Sequence, residues 1–263
     1  MAGYIDVHCH LTGDEFDAVG GMDEVLARAR ENGVERVICS GFDLASSTIA
    51  KDLAEKYEDV YFCAGFHPSE LKKYREGDLE EIRTLCLHEK CVALGEIGLD
   101  YHFDDNPPKE VQRDLFYRQL ALADELGLPV VLHSRDAAQE TLEFLREHKA
   151  LLKKGGLMHC YSYSAEMTAD FMALGLGFSF GGPSTFKNGK KAQECIQRIP
   201  AYLLLSETDC PYLTPVPYRG AFPNEPKNVK YVVDNMAALL GKNVEELKDE
   251  LMQNAKTLFF KLK

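Results

Sequence analysis

Two imidazoles, His8 and His10, stand two residues apart at the end of a short run, Tyr4-Ile5-Asp6-Val7. On a β-strand, residues i and i+2 project from one face, so this pair could grip a single metal ion. Taken alone, His-x-His describes equally well two histidines that hydrogen-bond locally at a strand end, and partners elsewhere must decide. Such partners recur. His67, Glu96, His133, His159 and Asp209 each stand at or near the end of another short apolar run. Several histidines with carboxylates give more ligands than one zinc-type ion needs, and a carboxylate can bridge, so a two-ion site is natural. Two ions about 3.5–4 Å apart polarise a bond, lower the pKa of a bridging water and steady the oxygens of the transition state, which is hydrolytic chemistry. Imidazole ligands favour Zn, Mn, Co or Fe over Mg.

The elements that would carry these residues alternate. Helical periodicity is expected over 22–31 (Val25, Leu26, Ala29), closed by Gly33, then a strand over 34–39. A helix over 43–57, with Leu44, Ile49 and Leu53 as core positions, leads to a strand over 60–65. Helix 78–88, strand 91–97, helix 109–126 and strand 129–133 follow, then helix 137–147, strand 156–159, helix 165–174 and strand 176–180. A weaker helix over 189–197 precedes strand 202–206, and amphipathic helices over 228–240 and 244–260 end the chain. The strands are nearly continuous Val/Ile/Leu/Ala runs, as expected where helices cover a parallel sheet. Eight β-α units in roughly 250 residues are the pattern of the (β/α)8 TIM barrel. An open doubly wound sheet is the competitor. The barrel is favoured because polar residues follow so many different strands, which a site ringed by βα loops requires. The expectation is a single domain over 1–263, with extra C-terminal helices.

With 263 residues and 45% hydrophobic content the chain can bury a full core. No stretch approaches the roughly 20 apolar residues of a membrane span, and the N-terminus lacks a basic region followed by an apolar block. Eight cysteines without a Cys-x-x-Cys pair read as reduced core thiols, which points to a cytoplasmic protein. The formal charge of −12 argues against non-specific coating of nucleic acid, though bound cations would reverse the field inside a cleft.

Five ordered segments carry a resemblance: Asp6-Val7-His8-Cys9-His10-Leu11, Gly95-Glu96-Ile97-Gly98-Leu99-Asp100-Tyr101, Leu132-His133-Ser134-Arg135-Asp136-Ala137, His159-Cys160-Tyr161-Ser162 and Glu207-Thr208-Asp209-Cys210-Pro211-Tyr212-Leu213. Together with Thr214-Pro215, Arg219-Gly220 and Asn224-Glu225-Pro226, the chain resembles the TatD family of metal-dependent deoxyribonucleases, within the amidohydrolase-like barrels. The likeness runs from residue 4 to Asn254-Ala255. It implies two divalent ions per chain, Mg, Mn or Zn. His8, His10, Glu96 and Asp209 would surround one ion, and Glu96 would bridge to a second held by His133 and His159. Asp209 would also orient or deprotonate the attacking water, and His67 and Arg135 would contact the scissile phosphate, with Tyr101 and Arg219 near the substrate. Glu207 would stand beside the site as a catalytic or supporting acid. Tyr163, where the family commonly has glycine, and Ser206, where leucine is common, depart from the pattern and bear on loop shape and substrate preference. Neither removes a ligand.

The resulting expectation is a metal-dependent hydrolase, a deoxyribonuclease removing nucleotides from the end of DNA and possibly RNA. An amidohydrolase or lactonase on a small cyclic substrate is the alternative, since the same metal pair activates water for carbonyl attack. A non-catalytic metal-bound scaffold is a third. His88 and His148 read as locally bonded helix histidines, and His102 as a loop residue beside Tyr101. Lys187, Lys190 and Lys191, with Lys227 and Lys230, are either a basic rim for a polyanion or a solvated face.

Overall fold

The protein, described by a computed structural model over residues 2–263, is built from eight strands and nine α-helices among its described residues. The strands are β1 (Tyr4–Cys9), β2 (Val34–Ser40), β3 (Val60–Ala64), β4 (Cys91–Asp100), β5 (Val130–Arg135), β6 (Gly156–Met158), β7 (Leu176–Phe180) and β8 (Leu204–Ser206). The helices are α1 (Gly21–Glu31), α2 (Leu44–Lys56), α3 (Asp78–Cys86), α4 (Lys109–Leu126), α5 (Ala138–Glu147), α6 (Ala165–Met172), α7 (Lys190–Arg198), α8 (Val229–Leu240) and α9 (Val244–Leu258). The strands form one sheet in sequence order, with helices between them: the (β/α)8 barrel. Among the described residues no helix is long and apolar enough to cross a membrane.

The chain divides into two compact units. The first comprises Met1–Cys39, Cys160–Thr168 and Phe178–Thr257. In it β8 lies beside β1: Ser206 Oγ donates to Ile5 O at 2.8 Å and Asp209 N–H to His8 O at 3.0 Å. His10 N–H returns a bond to Cys210 O at 2.6 Å. Helix α1 buries Val25, Leu26 and Ala29 and stops where Asn32 gives way to Gly33, whose φ of +81° suits a residue without a Cβ.

The second unit comprises Ser40–His159, Ala169–Gly177 and Leu258–Lys263. Strands β3 and β4 are buried along their whole length, which explains why their sequences lack alternation. Strand β4 reaches Asp100 rather than stopping at Ile97, because Gly98, Leu99 and Asp100 stay in register with His133, Ser134 and Arg135 of β5. Glu96 therefore sits in mid-strand and not at a strand end. A second correction concerns α2. Ile49, expected in the core, is 43% exposed, while Ser46, Ser47, Ala50 and Ala54 form the buried face. Small residues are needed there because the helix lies close to the chain beneath it: a Cβ on Gly41 would come 2.3 Å from Ser47 Oγ.

Helix α2 begins with a capping box. Asp43 Oδ1 accepts from Ser46 N–H at 2.8 Å, and Ser46 Oγ accepts from Asp43 N–H at 2.9 Å. Burial alone would raise the Asp43 carboxyl, but hydrogen bonds from Ser46 and Lys73 outweigh it and hold the group below its ordinary value. A depressed folded pKa stabilises the protein above the unfolded value and loses that contribution as pH falls through the folded one. Asp43→Ala is expected to destabilise the protein by about 1 kcal/mol at pH 7. Urea denaturation of both proteins should show this gap narrowing below about pH 4, the ordinary Asp pKa.

Candidate metal centre

In the first unit, β1 presents Asp6 and His8, His10 follows directly after the strand, and the turn after β8 brings Asp209 to the two histidines. His8 Nε2 and His10 Nε2 lie 3.3 Å apart, and Asp209 Oδ1 is 3.7 Å from the first and 3.4 Å from the second. Ligand atoms about 2.1 Å from a common ion are separated by about 3.0 Å at right angles and about 3.4 Å at tetrahedral angles. The three donors are thus spaced as a cation would require. Asp209 takes φ +54°, a conformation that Asp tolerates better than most residues, and this turns its carboxylate toward the imidazoles. Behind them Asp6 is fully buried and accepts from Thr208 N–H at 2.9 Å and Thr208 Oγ1 at 2.5 Å, binding β1 to the 207–209 segment. Burial pushes its carboxyl up to about 8 against the pull of these bonds. Glu207 is also fully buried and accepts from Ser179 Oγ at 2.5 Å.

In the second unit the cluster gathers on Glu96, which is 2% exposed. His133 Nδ1 and His159 Nε2 both lie 2.8 Å from Glu96 Oε1 and 3.2 Å from each other. His67 Nε2 is 3.5 Å from the same oxygen. Asp100 Oδ2 meets His133 Nε2 at 3.0 Å, a carboxylate on the far nitrogen of the kind that orients ligating histidines. Burial lowers the His133 pKa, but the bonds to Asp100 and Glu96 outweigh it, so the net shift is upward. Asp100, raised by burial, is brought below its ordinary value by His133 and the His102 N–H. His67 Nδ1 accepts from Ser69 N–H at 3.1 Å, which leaves the proton on Nε2.

The residues expected near substrate have definite surroundings. Arg135, the last residue of β5, is exposed, with its guanidinium 5.0 Å from the Phe103 ring centroid. Tyr101 donates its hydroxyl to Glu140 at 2.8 Å, and burial together with this bond raises its pKa. Arg219 is exposed and stacks over Phe186 at 4.0 Å. Of the lysines, Lys227 pairs with Glu225 at 2.8 Å and Lys230 bonds Asn32 at 2.8 Å. Lys187, Lys190 and Lys191 are exposed and make no ion pair among the described residues. His88 is near Glu55 and His148 packs on Tyr117 and Phe144, both local roles, while His102 Nδ1 meets Asp136 at 2.7 Å.

Asp100 stands in the Gly95–Tyr101 motif with no task evident from the sequence alone. The signal was there: Glu96, Gly98 and Asp100 share one face of a strand by period two. Gly98 has its own reason to be glycine. At φ +147° an added Cβ would stand 1.9 Å from His133 O.

Fold and clusters define a barrel hydrolase equipped to use metal ions. Residues 5–260 match the family model for TatD related DNases, and the chain belongs to that family of metal-dependent hydrolases. It is 44% identical to the uncharacterized metal-dependent hydrolase YabD of Bacillus subtilis, over 97% of this chain and 98% of that one. It is 35% identical to the 3'-5' ssDNA/RNA exonuclease TatD of Klebsiella pneumoniae, over 97% of each. The crystal structure of the TatD homologue YjjV from Escherichia coli superposes with a TM-score of 0.90 at 32% identity, covering 98% of both chains.

Asp100→Asn should lower metal affinity or metal-stimulated activity by roughly 10- to 100-fold, the usual cost of losing a histidine's orienting carboxylate. Isothermal titration with Zn or Mn measures it, and an unchanged affinity and activity would count against the orienting role. Gly98→Ala should shift β4 against β5 and lower the thermal midpoint by several degrees, read by calorimetry.

Proposed function

We propose that this chain hydrolyses phosphodiester bonds at the ends of DNA strands, and of RNA strands with the same backbone chemistry, using two divalent ions. The observation that carries the reading is the pair of closely spaced donor sets, one on His8, His10 and Asp209 and one on Glu96, His133 and His159, whose facing atoms lie 2.8–3.2 Å apart. In this reading His8, His10 and Asp209 would hold one ion, and Glu96, His133 and His159 would hold another. Bound divalent ions would supply Lewis acidity and a water whose pKa is lowered toward neutrality.

The chain's own residues do the rest. Asp209 receives the proton of the attacking water. His67, with its proton on Nε2, donates to a phosphate oxygen, and the Arg135 guanidinium offers the fork that suits a phosphate. Asp100 holds His133 with Nδ1 toward Glu96. Glu207 supports the segment carrying Asp209 through its bond to Ser179. Tyr101 and Arg219 line the approach of the substrate. The whole chain acts as one hydrolase domain, a reading supported by the family match over 5–260. We place it in the cytoplasm, where its eight unbridged cysteines suit a reducing compartment.

The test is release of nucleotides from single-stranded DNA by metal-free protein reconstituted in turn with Mg, Mn and Zn. Activity is expected with at least one ion, abolished by chelator, and reduced at least 100-fold in His159→Ala, whose fold is checked by circular dichroism. Activity that survives chelation would contradict the reading, as would hydrolysis of lactones or amides with no cleavage of any phosphodiester.

A further inference from the structure

The loops that follow β4 and β5 are clasped by a histidine and a carboxylate. His102 Nδ1 lies 2.7 Å from Asp136 Oδ2. A carboxylate at that distance accepts the proton on Nδ1, so Nε2 becomes the ring nitrogen that exchanges a proton with a neighbour. Asp136 reaches the ring from a φ of +51°, in the left-handed region that a residue with a Cβ seldom occupies. Backbone held in such conformations clusters at functional sites. Both side chains are open to water, His102 at 40% and Asp136 at 64%. An ion pair this exposed adds little to stability, so the fold itself gains little from it.

The pair is aimed by residues that also hold the buried donors. Asp100 Oδ1 accepts from the His102 N–H at 2.9 Å, while Asp100 Oδ2 meets His133 Nε2 at 3.0 Å. One carboxylate therefore fixes both the His133 ring and the start of the loop that bears His102. Asn106 Nδ2 closes this loop on the strand by donating to Asp100 Oδ1 at 3.0 Å and Asp100 O at 3.1 Å. From β5, Arg135 O accepts from the Tyr101 N–H at 2.9 Å. The Arg135 guanidinium lies 5.0 Å from the centroid of Phe103, whose ring meets that of His102 edge-on at 4.6 Å. His102 thus stands beside the guanidinium suited to the scissile phosphate, in the βα loops where (β/α)8 enzymes build their sites.

We propose that His102 is the general acid of the reaction, oriented by Asp136. The proposal rests on the phosphodiesterase reading, in which Asp209 takes a proton from the attacking water and the oxygen that leaves must gain one. The water oxygen bonds to phosphorus as the bond from phosphorus to the sugar oxygen breaks. That sugar oxygen keeps the bonding electron pair and takes the proton from His102 Nε2, and the imidazole regains a proton from solvent. Asp136 acts through His102, holding its tautomer and its orientation, as the third member of a catalytic array does. The role has a chemical signature. A sugar oxygen leaves poorly without a proton, whereas p-nitrophenolate leaves unaided.

The experiment compares the metal-loaded wild type with His102→Gln and Asp136→Asn. Two substrates are used, an oligothymidylate, which expels a sugar oxygen, and thymidine 5′-p-nitrophenyl phosphate, which expels p-nitrophenolate. The ratio of kcat/KM for the oligonucleotide to that for the nitrophenyl ester should fall about 100-fold or more in His102→Gln, the lower end of what general acid catalysis contributes. Asp136→Asn should move the ratio in the same direction by a smaller factor. An unchanged ratio in His102→Gln overturns the proposal. Equal losses on both substrates, accompanied by loss of bound metal in mass spectrometry, would overturn it too and make His102 a support for Asp100 and His133. If the wild type cleaves no phosphodiester with any ion, the phosphodiesterase reading itself fails, and that outcome is separate from the others.

Discussion

One desolvated oxygen, Glu96 Oε1, sets the conditions for the second unit. Two imidazole nitrogens lie 2.8 Å from it and a third 3.5 Å, yet its side chain is 2% exposed. A carboxylate removed from water this completely is costly unless cations or donors surround it. His133, His159 and His67 meet that requirement from three different βα segments, so placing Glu96 correctly means placing all of them. Strand β4 does this by close approach. Gly95 and Gly98 let its backbone lie against Val131 and His133, where a Cβ would come 2.7 Å from Val131 Cβ and 1.9 Å from His133 O. The same strand then supplies Asp100, so His133 is held at both nitrogens by residues four apart on one strand face.

The first unit solves a related problem at the β8–β1 seam. Asp6 and Thr208 are bonded through main chain and side chain, and Asp209 and His8 through main chain, so the ligands on the two strands cannot shift independently. Asn224 ties the following loop back to Thr208 and Tyr212, and Glu225 beside it takes Arg28 at 2.8 Å and Lys227 at 2.8 Å. This explains the physical value of the Asn-Glu-Pro segment, which lies outside the ligand set.

Much of this was legible in the sequence. Apolar runs separated by helical periodicity gave the order of elements, because burial of a parallel sheet on both faces leaves that pattern unmistakable. The extents of α4 and β7 match the expected ranges. Histidines and acids near the ends of those runs gave the candidate ligands. What escaped depends on contacts between distant segments. The continuation of β4 through Gly98 to Asp100 looks like a loop until β5 is set beside it. The ladder is irregular between Leu94 and Ile97, where Glu96 N–H bonds Gly41 O instead, a pairing that periodicity cannot announce. Ile49 misled because α2 lies so close to its neighbours that small residues, not large ones, form its buried face. Asp100 was hidden for the same reason as β4's length: its partner is on another strand.

The central proposal is that the chain holds two ions, with Glu96 among the ligands. Metal content at saturation tests it directly, by mass spectrometry of protein equilibrated with Zn or Mn and freed of excess ion. Two ions per chain in the wild type, falling to one or fewer in Glu96→Gln with the fold intact, is the predicted result. A single ion per chain that Glu96→Gln leaves in place would contradict it.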